Sequence, residues 1–367
     1  MPRDSWCFRL CLLGSLLIVA RSIGAFQGDV AKSPPPPADV KAAFLKQLDR
    51  PRVPVDVQVR KVEAENGRIA EQVSIATERR ADGSIERVPM LIMKPEQPAG
   101  KLPAVIVLHG TGGNKESQRA FLVELVNRGI IGVAIDARYH GERSGGVKGS
   151  EAYVAGITRA WKVPPGQAQE HPFYFDTCWD LWRTIDYLQS RPDIDGERLG
   201  MIGFSMGGIQ TWLAASVDER IKVAVPAIAV QSFRWSLDHD EWQGRAKTIQ
   251  AAHAAAAAEL GEPAVNARVC RDLWNKIIPG MLDRFDCPSM IRLFAGRPLL
   301  ILNGELDPNC PLGGAKVAFA AAEAAYRDVG AMDKLRIDIA AGVPHRVTDG
   351  QRQMALAWLA KWLDAKP

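Results

Sequence analysis

From Leu102 onward the chain repeats one pattern, in which short, wholly apolar runs alternate with longer amphipathic stretches. The runs are "PAVIVLH", "GIIGVAID", "RLGMIGF", "IKVAVPAI", "RPLLILNG" and "KLRIDIAAG". An uninterrupted apolar strand is buried on both faces, which is the condition of a parallel sheet covered on each side by helices. The segments "ESQRAFLVELVNRG", "DTCWDLWRTIDYLQSRP", "MGGIQTWLAAS", "GAKVAFAAAEAAYRDVG" and "DGQRQMALAWLAKWLDA" supply those helices. The alternation predicts an α/β fold of crossover units. Ahead of it, "VPVDVQV", "RIAEQVSIATE" and "IERVPMLIM" read as antiparallel strands, the last two joined by a turn at "ADGS".

Three further segments stand apart from this rhythm. The N-terminus joins a basic "MPRDSWCFR" to the apolar "LCLLGSLLIVA" and the small residue Ala25, so residues 1–25 read as a secretory signal peptide, the alternative being a retained anchor, for which the apolar run is shorter than a spanning helix needs. A secreted or periplasmic protein follows from that. The four consecutive prolines Pro34 to Pro37 make residues 26–38 an extended linker. The folded domain is then 39–367. Within it, residues 231–297 intervene between two buried strands and carry Phe233, Trp235, Trp242, Trp274 and Phe285. This interval reads as an inserted helical cap over the strand C-termini, the alternative being a layer that only packs on the sheet.

Charge and cysteines narrow the function. With 46 Lys and Arg against 42 Asp and Glu, and no basic run interleaved with aromatics, the chain lacks the footprint of a nucleic-acid binder. Beyond the signal segment, Cys178, Cys270, Cys287 and Cys310 allow either one or two disulfides or free buried thiols. No Cys/His cluster has zinc spacing.

Chemistry enters at "GFSMGG", where Ser205 stands between a strand and a helix, fenced by Gly203, Gly207 and Gly208. In that context G-x-S-x-G is a nucleophile elbow: a sharp turn exposes the hydroxyl, and side chains at the glycines would strike the neighbouring strand and helix. A serine hydroxyl needs a base and a group to orient that base. Asp307 in "NGELDP" and His345 in "GVPH" follow the last two apolar runs in the required order, with Glu305 the competitor for the acid. The oxyanion donors are expected at the backbone N–H groups of Met206 and of Thr111 in "HGTGGNK". The segment "DARYHGERSGG" reads as a loop held in shape by Asp136 and Arg138, with Tyr139, His140 and Arg143 as alternative substrate contacts. No metal or cofactor is called for.

Taken in order, "HGTGGNK", "DARYHGERSG", "GFSMGG", "NGELDP" and "GVPH" resemble the α/β-hydrolase superfamily, and within it the dienelactone-hydrolase-like and acetyl-xylan or feruloyl-esterase-like serine esterases, over residues 85–364. The resemblance implies a mostly parallel sheet of about eight strands, an acyl-enzyme mechanism, and a small-molecule or carbohydrate ester as substrate. The dienelactone hydrolases carry a cysteine nucleophile where this chain has Ser205, which favours ordinary ester hydrolysis. Two rivals remain: a prolyl-oligopeptidase-like peptidase, for which the roughly 75 residues before the first core strand are too few to build a propeller, and a non-catalytic binding protein on the same fold.

Overall fold

The computed structural model describes residues 35–98 and 100–365; the expected signal segment 1–25 lies outside the described residues. The strands are β1 (Gln58–Glu65), β2 (Arg68–Arg79), β3 (Ile85–Pro95), β4 (Leu102–Leu108), β5 (Ile131–Ile135), β6 (Ile194–Phe204), β7 (Ile221–Ala227), β8 (Leu299–Gly304) and β9 (Leu335–Ala340). Helices α1 (Pro37–Leu48), α2 (Arg119–Val126), α3 (Glu151–Lys162), α4 (Phe175–Ser190) and α5 (Met206–Val217) precede the 231–297 interval. That interval holds α6 (Phe233–Asp238), α7 (Gln243–Lys247), α8 (Gln250–Glu259), α9 (Ala267–Ile277) and α10 (Cys287–Ile291). The last two helices are α11 (Leu312–Asp328) and α12 (Asp349–Trp362).

The described residues form one nine-stranded sheet in the order β1-β2-β3-β5-β4-β6-β7-β8-β9. From β5 to β9 all neighbours are parallel, whereas β1, β2 and β3 join antiparallel, with Met90 opposite Ile135 where β3 meets β5. The sheet thus has one strand more than the resemblance implied, because the N-terminal strands extend it.

The apolar runs are buried on both faces, as their composition requires. In β4, Ala104, Ile106 and Leu108 enter the core shared with α1, α3, α4, α5 and the 231–297 helices, while Val105 and Val107 enter the core under α2 and α12. Strand β8 divides likewise, Leu299 and Ile301 to one side and Leu300 and Leu302 to the other. Each Val, Leu or Ile among them contributes about 1.5–3 kcal/mol by leaving water.

Three expectations are corrected. The "KLRIDIAAG" run is not a buried strand: β9 closes the sheet, is half-exposed along its length, and alternates Leu335 and Ile337 with Arg336 and Asp338. Charges on an edge strand discourage further pairing. "VPVDVQV" is mostly not a strand, since β1 begins only at Gln58. Pro54 has no N–H for a ladder, and Asp56 takes φ 40°, which breaks an extended run. The linker reading overran its true end, because Pro37 opens α1. At the first helical position the missing N–H costs nothing and the fixed φ suits the turn.

Helix α1 buries Val40, Phe44 and Leu48, spaced four apart on one face. Phe44 meets Phe175, Phe285 and Trp182 edge-on, with ring centroids 5.4, 5.1 and 6.2 Å away. In the 231–297 interval, Phe233, Trp242, Trp274 and Phe285 are core residues, and Trp235 is half-buried. Asp286 ties the two ends of the interval together, accepting from Ser232 Oγ at 2.5 Å, Phe233 N–H at 2.9 Å and Cys287 N–H at 2.8 Å. Among the described residues no helix is long and apolar enough to cross a membrane. Truncating the aromatic anchor of α1, Phe44→Ala, is expected to cost about 3–5 kcal/mol, read as the shift of the urea unfolding midpoint at constant slope; a loss below about 1 kcal/mol would mean that α1 does not dock as described.

Candidate active site

Ser205 joins β6 to α5 with φ 53° and ψ −113°, a backbone conformation that L-residues avoid and that costs on the order of 1–3 kcal/mol. Two hydrogen bonds hold it there: its N–H donates to Ala227 O at 2.9 Å, and its carbonyl accepts from Ile209 N–H at 3.0 Å. The glycines are steric necessities. A Cβ on Gly203 would lie closer than 3.0 Å to the Gly207 backbone and the Thr211 hydroxyl, and one on Gly207 equally close to the Leu108 carbonyl. Gly208 has the same constraint against Ala229 and Ala227 O.

His345 Nε2 lies 2.8 Å from Ser205 Oγ. Its Nδ1 lies 2.8 and 2.7 Å from the two carboxylate oxygens of Asp307. A carboxylate only accepts, so Nδ1 carries the proton and Nε2 presents a lone pair to the serine hydroxyl. Asp307 is 2% exposed, and its Oδ1 also accepts from the N–H groups of Asn309 at 2.8 Å and Cys310 at 3.1 Å. The competing Glu305 is exposed and accepts from Gly342 N–H at 2.7 Å instead. Gly304 lets the His345 loop cross the end of β8, since a Cβ there would press on the carbonyls of Val343 and Pro344. The geometry thus brings Ser205, His345 and Asp307 into one hydrogen-bonded chain.

Met206 is the first residue of α5, so its N–H has no intrahelical partner. Thr111 follows β4 directly after Gly110, whose absent side chain would stand 3.6 Å from Ser205 Cβ and 3.5 Å from Phe204 O. Met206 thus adjoins the serine in the chain, and the Thr111 loop approaches it through Gly110. His109 anchors that loop: its Nδ1 donates to Gly110 O at 2.8 Å and its Nε2 accepts from Ala137 N–H at 3.2 Å. Burial lowers the His109 pKa to about 4, and it does the same to His140 and His253.

The "DARYHGERSGG" segment is a braced loop. Asp136 is buried and accepts from Lys115 N–H at 2.7 Å, Lys115 Nζ at 3.3 Å and Glu142 N–H at 3.0 Å. Arg138 is paired with Asp180 at 2.7 Å and Glu78 at 2.7 Å, and Arg143 with Glu86 at 2.5 Å and Asp180 at 2.9 Å. Burial by itself would raise the Asp180 pKa, but Arg138 and Arg143 more than offset it and hold the carboxyl well below its ordinary value. Tyr139 binds Glu170 through its hydroxyl, and His140 is buried with Nδ1 donating to Arg138 O at 2.8 Å. The bracing partners Lys115, Glu78, Glu86 and Asp180 had no signature in the sequence.

All four described cysteines are free and buried. Among the described residues there is no disulfide, and the thiols pack as small apolar groups. Cys310 lies beside the pair, its Sγ 3.3 Å from Ile228 O, and burial pushes its pKa up. Asp307, Cys310 and His345 place potential ligand atoms within 4.8 Å of one another. In this arrangement both ring nitrogens of His345 are occupied, Nδ1 by Asp307 and Nε2 by Ser205 Oγ.

The buried neutral histidines carry a pH consequence. A histidine whose folded pKa lies below its unfolded value stabilises the fold fully above about 6.5 and loses that contribution as the pH falls towards about 4. Unfolding midpoints are expected to drop between those pH values, each histidine withdrawing on the order of 3 kcal/mol; midpoints that do not change from pH 7 to pH 4.5 would contradict the neutral, buried assignment.

The acetyl xylan esterase (AXE1) family profile matches residues 49–234, just over half of the chain. The Bacillus subtilis (strain 168) protein YtaP is 26% identical over 343 residues, covering 88% of this chain and all of that one. Among solved structures, acetyl xylan esterase 1 from Thermoanaerobacterium sp. JW/SL YS485 superposes with a TM-score of 0.63 at 18% identity, over 90% of this chain and 94% of the other. A glucuronoyl esterase from Solibacter usitatus does so with a TM-score of 0.60 at 17% identity, over 89% and 91%. The α/β-hydrolase architecture is common to these folds, and the matched profile, spanning the strands and loops that lead up to and past Ser205, establishes that the chain belongs to the acetyl xylan esterase family of ester hydrolases.

Proposed function

We propose that the protein is a serine esterase that removes acyl groups, acetyl foremost, from esterified carbohydrates through an acyl-enzyme. The unbroken hydrogen-bonded chain from Ser205 Oγ through His345 to Asp307 supports this reading most directly. As Ser205 Oγ attacks the ester carbonyl, His345 Nε2 takes its proton, and Asp307 stabilises the imidazolium through Nδ1–H. The N–H groups of Met206 and Thr111 bind the oxyanion of the tetrahedral intermediate. The C–O bond to the sugar then breaks, and the leaving alkoxide takes the proton from Nε2. Water, deprotonated by the same nitrogen, attacks the acyl-serine and frees the acid and Ser205.

Carbohydrate esters are favoured by membership of the acetyl xylan esterase family and by the structural neighbours, among which are acetyl xylan and glucuronoyl esterases. Peptide cleavage of the prolyl-oligopeptidase kind is disfavoured, because β1, β2 and β3 extend the hydrolase sheet instead of forming propeller blades. The N-terminal basic and apolar segments support action outside the cytoplasm, where acylated polysaccharide is met.

Ser205→Ala is expected to lower turnover of 4-nitrophenyl acetate and of acetylated xylan by about 10⁴-fold or more, with far- and near-UV circular dichroism unchanged. A fluorophosphonate probe is expected to label the wild type on Ser205 and to leave the variant unlabelled. Retained turnover in the variant, or labelling at another residue, would overturn the assignment.

A further inference from the structure

Arg245 lies in α7, is 2% exposed, and makes no ion pair within 4.0 Å among the described residues. A guanidinium buried without a carboxylate at hand is costly, so its place needs a reason. Its Nη2 donates to Asn309 O at 2.9 Å and lies 3.5 Å from Cys310 Sγ, and its Cζ stands 5.5 Å over the Phe233 ring. The preceding residue touches the same turn: a Cβ on Gly244 would fall closer than 3.0 Å to the Pro308 carbonyl. Two consecutive residues of α7 therefore rest on Pro308, Asn309 and Cys310. Asn309 and Cys310 are the residues whose N–H groups hold the Asp307 carboxylate.

The titratable groups that face Arg245 are Tyr153 from α3, Tyr174 ahead of α4, and Cys310 and Asp307 from the turn itself. Burial keeps the two phenols and the thiol neutral. Asp307 is thus the anion of this set, and its turn links Arg245, at Asn309 and Cys310, to His345.

We propose that Arg245 is a positioning residue of the ester hydrolysis: it fixes the Asn309–Cys310 backbone that aims Asp307 at His345, and it is the fixed positive charge behind that pair. The inference rests on the reading of Asp307 and His345 as acid and base. A cation behind the carboxylate disfavours the imidazolium. Removing it is expected to move the acidic limb of the rate profile up.

The test compares Arg245→Met, Arg245→Lys and Gly244→Ala with the wild type on 4-nitrophenyl acetate between about pH 5 and pH 9. Arg245→Met is expected to lower kcat about 10- to 100-fold with KM nearly unchanged, and to raise the acidic limb of kcat/KM by about half a pH unit to one unit. Arg245→Lys should return the limb to its wild-type position and recover part of kcat. Gly244→Ala, which pushes on the Pro308 carbonyl and keeps the charge, should lower kcat without moving the limb. A folded Arg245→Met with an unmoved limb, or an Arg245→Lys limb displaced as far as that of Arg245→Met, overturns the proposal. Should Arg245→Met fail to fold, Gly244→Ala decides: a wild-type kcat overturns the proposal and a lowered one supports it. Fluorophosphonate labelling of the wild type separates the two levels. If Ser205 does not label, the triad reading has failed; if it labels and the variants behave like wild type, only the role of Arg245 has.

Discussion

At the turn that carries Ser205, three stretches of backbone approach so closely that no side chain fits between them. Gly207 faces the Leu108 carbonyl at the end of β4, Gly208 faces Ala227 at the end of β7 and Ala229 just past it, and Gly203 faces the first turn of α5. The helix consequently starts almost within the sheet, and its unpaired N-terminal N–H groups open at the strand ends. The remaining parts of the site converge on the same edge because parallel strands all finish there. The loop after β4 brings Thr111, the loop after β8 brings Asp307, and the loop after β9 brings His345. A wider turn would leave Ser205 Oγ out of reach of His345 Nε2, now 2.8 Å away.

The charged residues buried beside this edge act on the same geometry at one remove. Buried ion pairs contribute little net stability once desolvation is counted, but they admit few alternative arrangements. Arg138 and Arg143, gripped by Asp180, Glu78 and Glu86, fix the loop after β5. That loop presents the Ala137 N–H to His109 Nε2, and His109 in turn holds the Gly110 carbonyl. The contact chain ends at the glycine that lies against Ser205. Ion pairs on the loop after β5 thereby help to set where the expected oxyanion donor at Thr111 stands.

Legibility in the sequence followed the range of the forces involved. The elbow was readable because its constraint is local: a serine between a strand and a helix, with glycine where backbones touch. Asp307 and His345 were readable because loops at successive strand ends must supply them in order, although only the fold, through burial and the bonds to His345 Nδ1, separates Asp307 from the exposed Glu305. The "KLRIDIAAG" run misled because hydrophobic content does not reveal an edge; the alternating Arg336 and Asp338 carried that information. Helix α1 was missed although Val40, Phe44 and Leu48 have helical spacing, since the prolines before it drew the extended reading forward. Arg245 left no trace, because it binds a backbone carbonyl and a thiol 64 and 65 residues away.

The interval 231–297 belongs to the core more than its length suggests, and that bears on how the site is held. Its ends are joined through Asp286, and its large aromatic side chains are mostly packed out of solvent. Ser205 is anchored on β7 through Ala227 O, and the His345 loop lies across the end of β8 at Gly304. The Asp307 turn, by contrast, leans outward on α7, where Gly244 and Arg245 meet its backbone. Nucleophile and base are thus fixed by the sheet, and the acid is fixed by the insertion as well. A change in how the insertion packs displaces the acid relative to the other two, so this segment cannot vary freely to suit a substrate without also disturbing the hydrogen bonds that orient His345.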